Sequence, residues 1–174
     1  VGIIGYGNNG SAFAQKLRGF NVRVLVYDKY KTGFGNEYLE TADWDTICRE
    51  ADVLSLHIPQ NEETRGLIND ALINRFQRPF YLINLSRGKI VDTAALMRGI
   101  LAGKVAGACL DVLEYEKTSF EDMFGDRDNL PEPFRFLLQS DKVLLSPHVG
   151  GWTHESYYKL SQVLLDKIKH HYRF

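Results

Sequence analysis

Short, continuously apolar runs that alternate with helix-period stretches constrain this chain more than any other feature. The runs fall at 2–5, 22–27, 53–58, 80–85, 105–110 and 143–145, and helical patterns occupy 11–18, 44–51, 70–76, 93–102 and 154–171. A strand that is apolar at every residue, and not at every second one, is a strand covered on both faces of a parallel sheet. Short links from strand to helix then require right-handed crossovers, and the expected fold class is α/β, a doubly wound parallel sheet with helices on both faces. Boundary signals agree. Asp43 can cap a helix that starts at Trp44, Asp92 one that starts at Thr93, and Gly19 and Gly103 stand where helices stop. Two stretches break the rhythm: 28–40 is polar, and 114–133 is acidic and reads as irregular, with Pro131 and Pro133 near its end. The last helix gathers Leu160, Val163, Leu164 and Ile168 on one face, which is expected to pack, and leaves Lys167 and Lys169 at a solvated basic end.

Composition narrows the function classes. With 174 residues, 44% apolar, and a net charge of −1, the chain can build one core and is not a disordered segment. Its 21 Lys and Arg against 22 Asp and Glu leave no cationic excess for a phosphate backbone, so no nucleic acid is expected as partner. No apolar run approaches the ~18 residues of a membrane span. Cys48 and Cys109 sit apart within apolar patterns, which speaks against a disulfide or a metal site and for a reducing compartment, the cytoplasm. Val1 leads straight into a strand pattern with no initiator Met, so 1–174 is expected to be one domain of a longer protein.

Gly5-Tyr6-Gly7-Asn8-Asn9-Gly10 fits G-x-G-x-x-G between the first strand and the first helix. The first glycine permits the tight turn, the second lets a pyrophosphate approach the backbone, and the third lets helix and strand pack closely. The helix N-terminus offers unpaired N–H groups to the phosphates. Asp28 ends the second strand, where an acidic side chain accepts hydrogen bonds from the adenosine ribose and repels a 2′-phosphate. Glycines needed only for a tight turn are the plainer alternative, and the Asp28 context weighs against it. The pattern is that of a Rossmann-type sheet binding NAD, although Lys29 and Lys31 partly offset the Asp28 charge.

Polar groups follow the three later strands at their carboxyl ends, the edge where open α/β sheets bind ligands. Arg87 follows the run at 80–85, Asp111 closes the next with Glu116 shortly after, and His148 follows the last. An arginine grips a carboxylate with two N–H groups, and a histidine moves a proton near neutral pH, more so beside a carboxylate. Singly, each could be a loop ion pair, a solvated charge or a turn residue. Their coincidence on successive strand ends favours a catalytic set.

Asn84-Leu85-Ser86-Arg87-Gly88-Lys89-Ile90-Val91-Asp92 resembles the N-x-x-R-G-x-x-V-D signature of the D-2-hydroxyacid dehydrogenases, a family that includes D-3-phosphoglycerate dehydrogenase. Gly107-Ala108-Cys109-Leu110-Asp111-Val112 resembles that family's G-A-x-L-D-V strand. Ser146-Pro147-His148-Val149-Gly150-Gly151 resembles its S/T-P-H-x-G-G turn, and His57-Ile58-Pro59 through Thr64 its adenine-side loop. The resemblance implies Arg87, Glu116 and His148 as the catalytic set for hydride transfer between a D-2-hydroxy acid and NAD. It implies a cofactor site of Gly5, Gly7, Asn8, Asn9, Gly10, Asp28, Ile58, Pro59, Thr64, Leu85, Ser86, Asp111 and Gly150, with Asp111 near the nicotinamide carboxamide. It further implies a second, substrate-binding domain outside 1–174, without which the fragment is inactive, and a homodimer to which 96–105 contributes. Lys117 replaces the proline usual after the catalytic glutamate, Trp152 stands where a small residue is common, and Glu114 competes with Glu116 for the carboxylate role. The corepressors called C-terminal-binding proteins share these motifs, so a non-catalytic NAD-sensing module is the alternative.

Overall fold

The computed structural model describes residues 1–115 and 130–172. Among the described residues seven strands form one sheet: β1 (Gly2–Ile4), β2 (Leu25–Tyr27), β3 (Glu40–Thr41), β4 (Val53–Leu56), β5 (Phe80–Asn84), β6 (Val105–Leu110) and β7 (Val143–Leu145). Their order is β3-β2-β1-β4-β5-β6-β7, and every pairing is parallel. The helices are α1 (Asn8–Lys16), α2 (Trp44–Glu50), α3 (Asp70–Arg75), α4 (Thr93–Leu101), α5 (Glu132–Gln139) and α6 (His154–Tyr172).

Alternation along each strand sends successive side chains to opposite faces, and two apolar clusters result. Ile4, Leu25, Leu54, Leu82 and Leu110 point to the face packed by Ile47 of α2, Ile73 of α3, Leu96 and Ile100 of α4 and Phe134 and Leu137 of α5. Ile3, Val24 and Val26 point to the opposite face, where Ala14 of α1 covers them. The helices therefore lie on both faces as expected, but among the described residues the second face is covered only over the β1–β3 half. Ile83, Cys109 and Leu144 continue that face by register, and Tyr81 stands two residues from Ile83. Tyr81 is 55% exposed and Leu144 69%.

Capping follows the sequence. The Asp43 carboxylate accepts from Thr46 N at 2.8 Å and the Asp92 carboxylate from Ala95 N at 2.9 Å, which satisfies N–H groups in the first turns of α2 and α4. Gly103 ends α4 with φ +71°. Elsewhere the expectations need correction. The first helix begins at Asn8, three residues early, because Gly7 serves as its N-cap, and the turn after it ends at left-handed Asn21 and not at Gly19. Edge strand β3 starts at the last residue of the polar stretch, where no apolar run betrays it. Pro131 and Pro133 open α5: proline suits the first turn of a helix, whose N–H groups have no partner to lose.

One further expectation fails. Helix α6 buries none of its residues, so the face with Leu160, Val163, Leu164 and Ile168 does not pack on the described residues. Within 96–105, Leu96, Ile100 and Val105 are consumed by this chain's own core, and Leu101 is the large apolar residue left exposed.

Phe76, after α3, stacks on Phe80 of β5 with ring centroids 3.7 Å apart, and both rings are fully buried. Phe80→Ala leaves a ring-sized hole between α3 and the sheet, at an expected cost of about 3–5 kcal/mol. A urea titration that finds less than ~1 kcal/mol lost would show that this stack is not part of the cooperative core.

Candidate active site

Every strand of a parallel sheet ends on the same side, so the segments after β1, β2, β4, β5, β6 and β7 converge at one edge. The glycine turn after β1 is the tightest of these meetings. Gly5 has φ +95°, and a Cβ there would stand 2.5 Å from the His57 carbonyl oxygen; a Cβ on Gly10 would stand 2.0 Å from the Gly5 carbonyl oxygen. Both positions need glycine. A Cβ on Gly7 would meet nothing within 4 Å, and α1 starts there with no side-chain cap on its N–H groups. An open backbone surface in front of an uncapped helix N-terminus, with Asn8 and Asn9 exposed on its first turn, fits a pyrophosphate.

Next to this turn lies a cavity of about 400 Å³ between the end of β2 and the loop after β4, with Asp28, Ile58, Pro59 and Thr64 in its wall. The Asp28 carboxylate accepts from Tyr6 N at 2.7 Å, Tyr30 N at 2.8 Å and Lys31 N at 2.9 Å. Partial burial pushes its pKa up, but these three donors and the Lys31 charge outweigh burial and hold it below the usual value of 3.8. Asp28 is thus a fixed, ionised acceptor at the rim of the cavity. The Thr64 hydroxyl lies in the same wall but donates to Pro59 O at 2.7 Å, so it shapes the loop.

A second cleft, about 860 Å³, adjoins the first and is walled by Asn9, Leu85, Ser86, Arg87, Asp111, His148 and Gly150. Residues from four separate strand ends meet here. Asn84, fully buried, builds the Arg87 turn: its Nδ2 donates to Arg87 O at 3.0 Å and its Oδ1 accepts from Ser86 N at 3.0 Å. A Cβ on Gly88 would overlap Leu113 O, so the turn can lie against the end of β6 only with glycine there. Arg87 itself is exposed, one guanidinium N–H resting on Ser86 O at 2.7 Å.

Asp111, 6% exposed, fixes the turn that carries His148. Its Oδ1 accepts from Ser146 Oγ at 2.5 Å and Val149 N at 2.9 Å, and its Oδ2 accepts from Gly150 N at 2.8 Å. His148, between these anchor points, adopts left-handed backbone with φ +53°. The Glu114 carboxylate is committed elsewhere: it accepts from Thr93 N at 2.8 Å, at the start of α4. Glu116 lies outside the described residues.

The family model for the D-isomer specific 2-hydroxyacid dehydrogenase NAD binding domain matches residues 1–150. The chain belongs to this family. It is 34% identical to a glyoxylate reductase of Thermofilum pendens over 94% of the chain and 45% of that protein. It is also 34% identical to a hydroxypyruvate reductase of Thermotoga maritima, over 97% of the chain and 51% of that protein. Among solved structures, a D-isomer specific 2-hydroxyacid dehydrogenase of Lactobacillus delbrueckii in its NAD-complexed form superposes with a TM-score of 0.86 at 34% identity, over 97% of this chain and 52% of that one. The chain spans about half the length of the relatives it matches. The glycine turn, the Asp28 acceptor and the adjoining cavities suit NAD, and this 2-hydroxyacid dehydrogenase domain is an NAD-binding one.

Two polar residues of the site, Asn84 and His57, were quoted in the sequence only within motifs and given no role of their own. Asn84 was legible only as part of a motif, and the anchoring bonds of Asp111 need the fold to bring Ser146, Val149 and Gly150 to it. His57, half-buried behind the glycine turn, pairs its Nε2 with Ser55 Oγ at 2.9 Å and packs on Phe13 with ring centroids 5.1 Å apart. Burial holds its pKa below the usual 6.5. A histidine kept neutral in the folded state lends stability at pH values above 6.5 and loses it as acid protonates the unfolded chain first. Stability is therefore expected to fall between pH 7.5 and pH 5.5, with a smaller fall in His57→Asn. Equal urea midpoints for the parent at both pH values would contradict this.

Asp28→Ala removes the ribose acceptor and its charge together. NADH binding is expected to weaken by about tenfold and the preference over NADPH to narrow, as read by fluorescence titration. A parent that already binds NADPH as tightly as NADH would refute the role of Asp28.

Proposed function

We propose that this chain is the cofactor-binding half of an NAD-dependent oxidoreductase that interconverts a D-2-hydroxy acid and its 2-oxo acid. The observation that carries it is the shared cleft: Arg87 after β5, Asp111 at the end of β6 and His148 after β7 wall one space beside the dinucleotide turn. NAD, when bound, supplies the hydride acceptor or donor. Arg87 keeps N–H groups beyond the one on Ser86 O, which suits a two-point grip on the substrate carboxylate. His148 takes the C2 hydroxyl proton on oxidation and returns it on reduction. Asp111 positions the His148 turn and would stand near the nicotinamide carboxamide, and Glu116 is assigned the role of favouring the imidazolium form of His148.

The substrate class is a small 2-oxo acid of the kind reduced by the relatives. Selection among such acids falls to a second domain that supplies the other wall of the cleft. Residues 1–174 alone are accordingly expected to bind NAD(H) and to turn over no 2-oxo acid, since positioning and water exclusion need both walls. A homodimer belongs to the same proposal, its contacts drawn from exposed apolar side chains such as Leu101 and not from Leu96 or Ile100. The free thiols Cys48 and Cys109 suit a reducing compartment such as the cytoplasm. No helix of the described residues is long and apolar enough to cross a membrane.

The test uses the full-length protein with NADH and a panel of glyoxylate, pyruvate and hydroxypyruvate. His148→Ala is expected to lower kcat by about 10²-fold or more. Glu116→Gln is expected to move the histidine limb of the pH–rate profile to lower pH, because the carboxylate assigned to stabilise the imidazolium is removed. Parental kcat in His148→Ala would end this mechanism. NADH binding without turnover of any acid would favour an NAD-sensing module.

A further inference from the structure

The charges around the adenosine cavity do not by themselves explain why it would refuse a 2′-phosphate. Asp28 carries one negative charge, but Lys29 and Lys31 follow it directly, and two lysines beside a ribose are what a phosphate would seek. Both ammonium groups are already committed. Lys31 Nζ donates to Tyr6 O at 2.8 Å, on the glycine turn. Lys29 Nζ pairs with Glu63 Oε2 at 2.5 Å, across the cavity mouth, on the loop after β4. The Tyr30 hydroxyl reaches the same Glu63 oxygen at 3.5 Å, and Lys29 Nζ sits 5.5 Å from the centre of the Tyr30 ring. The charged side chains in the cavity wall are Asp28, Lys29 and Glu63.

We propose that Glu63 is a specificity-determining residue: by holding Lys29 it withholds the nearest wall cation from a 2′-phosphate, so that the cavity takes NAD(H) and refuses NADP(H). This rests on the NAD-binding assignment of the domain and adds to it a residue from the opposite wall. Asp28 repels the extra phosphate directly, whereas Glu63 acts through Lys29. The pair is exposed on both sides, at 54% and 59%, so it adds little to stability, and its effect lies in where the positive charge is directed. Without Glu63, the wall would hold one carboxylate and one unengaged ammonium, with the mobile lysine free to turn toward the ribose.

The experiment measures Kd for NADH and NADPH by fluorescence titration in the parent, Glu63→Gln, Lys29→Met and the double variant, with thermal midpoints to confirm folding. Glu63→Gln is expected to lower the ratio Kd(NADPH)/Kd(NADH) by about three- to fivefold, the most that release of one exposed ion pair can return to the phosphate. The double variant is expected to return the ratio to within about twofold of the Lys29→Met value, because the gain needs the freed ammonium. An unchanged ratio in folded Glu63→Gln overturns the proposal. A gain that persists without Lys29 also overturns it, since Glu63 would then act by direct repulsion. Failure of the parent to bind NADH would overturn the dinucleotide assignment itself, a result distinct from an unchanged ratio.

Discussion

Parallel pairing is the constraint on which this structure depends. Each strand must be followed by a crossover before the next can pair, so helices fill the faces and all strand ends share one edge. The residues after those ends have no ladder to join and are free to take special geometry: Gly5 at φ +95°, His148 at φ +53°, Arg87 in an extended turn against β6. The chemistry-bearing side chains meet there because the topology allows them nowhere else to converge.

The two halves of the site are held by different means. The dinucleotide half depends on close backbone approach, in which Gly5, Gly10 and the His57 carbonyl leave no room for side chains. The half around Arg87 and His148 depends on buried polar anchors. Asn84 ties the Arg87 turn from within, and Asp111 ties the His148 turn through three charge-assisted bonds. Removing Asp111 would leave those donors unpaired and the left-handed His148 turn unsupported.

Much of this was legible in the sequence because its signals are local. The strand–helix alternation, the Asp43 and Asp92 caps, the glycine turn and the three strand-end residues can each be read within a few positions. What was missed depends on tertiary context. Edge strand β3 has two polar residues and no apolar run, and Pro131 and Pro133 look like loop residues until Phe134 and Leu137 are seen buried beneath them. The apolar stripe on α6 is a sound amphipathic pattern, yet no described residue covers it; periodicity tells which face wants burial and not what supplies it. The competition between Glu114 and Glu116 could be narrowed only by finding the Thr93 N–H against Glu114.

The strand order also bears on how the chain assembles. β1 lies inside the sheet, β2 and β3 extend it on one side, and β4, β5, β6 and β7 extend it in turn on the other. Every strand therefore joins an existing edge, and none has to insert between two that are already paired. During synthesis from the N-terminus, each new crossover can dock on a platform completed before it emerged. The long sequence separations that make parallel sheets slow to form are thereby met one step at a time.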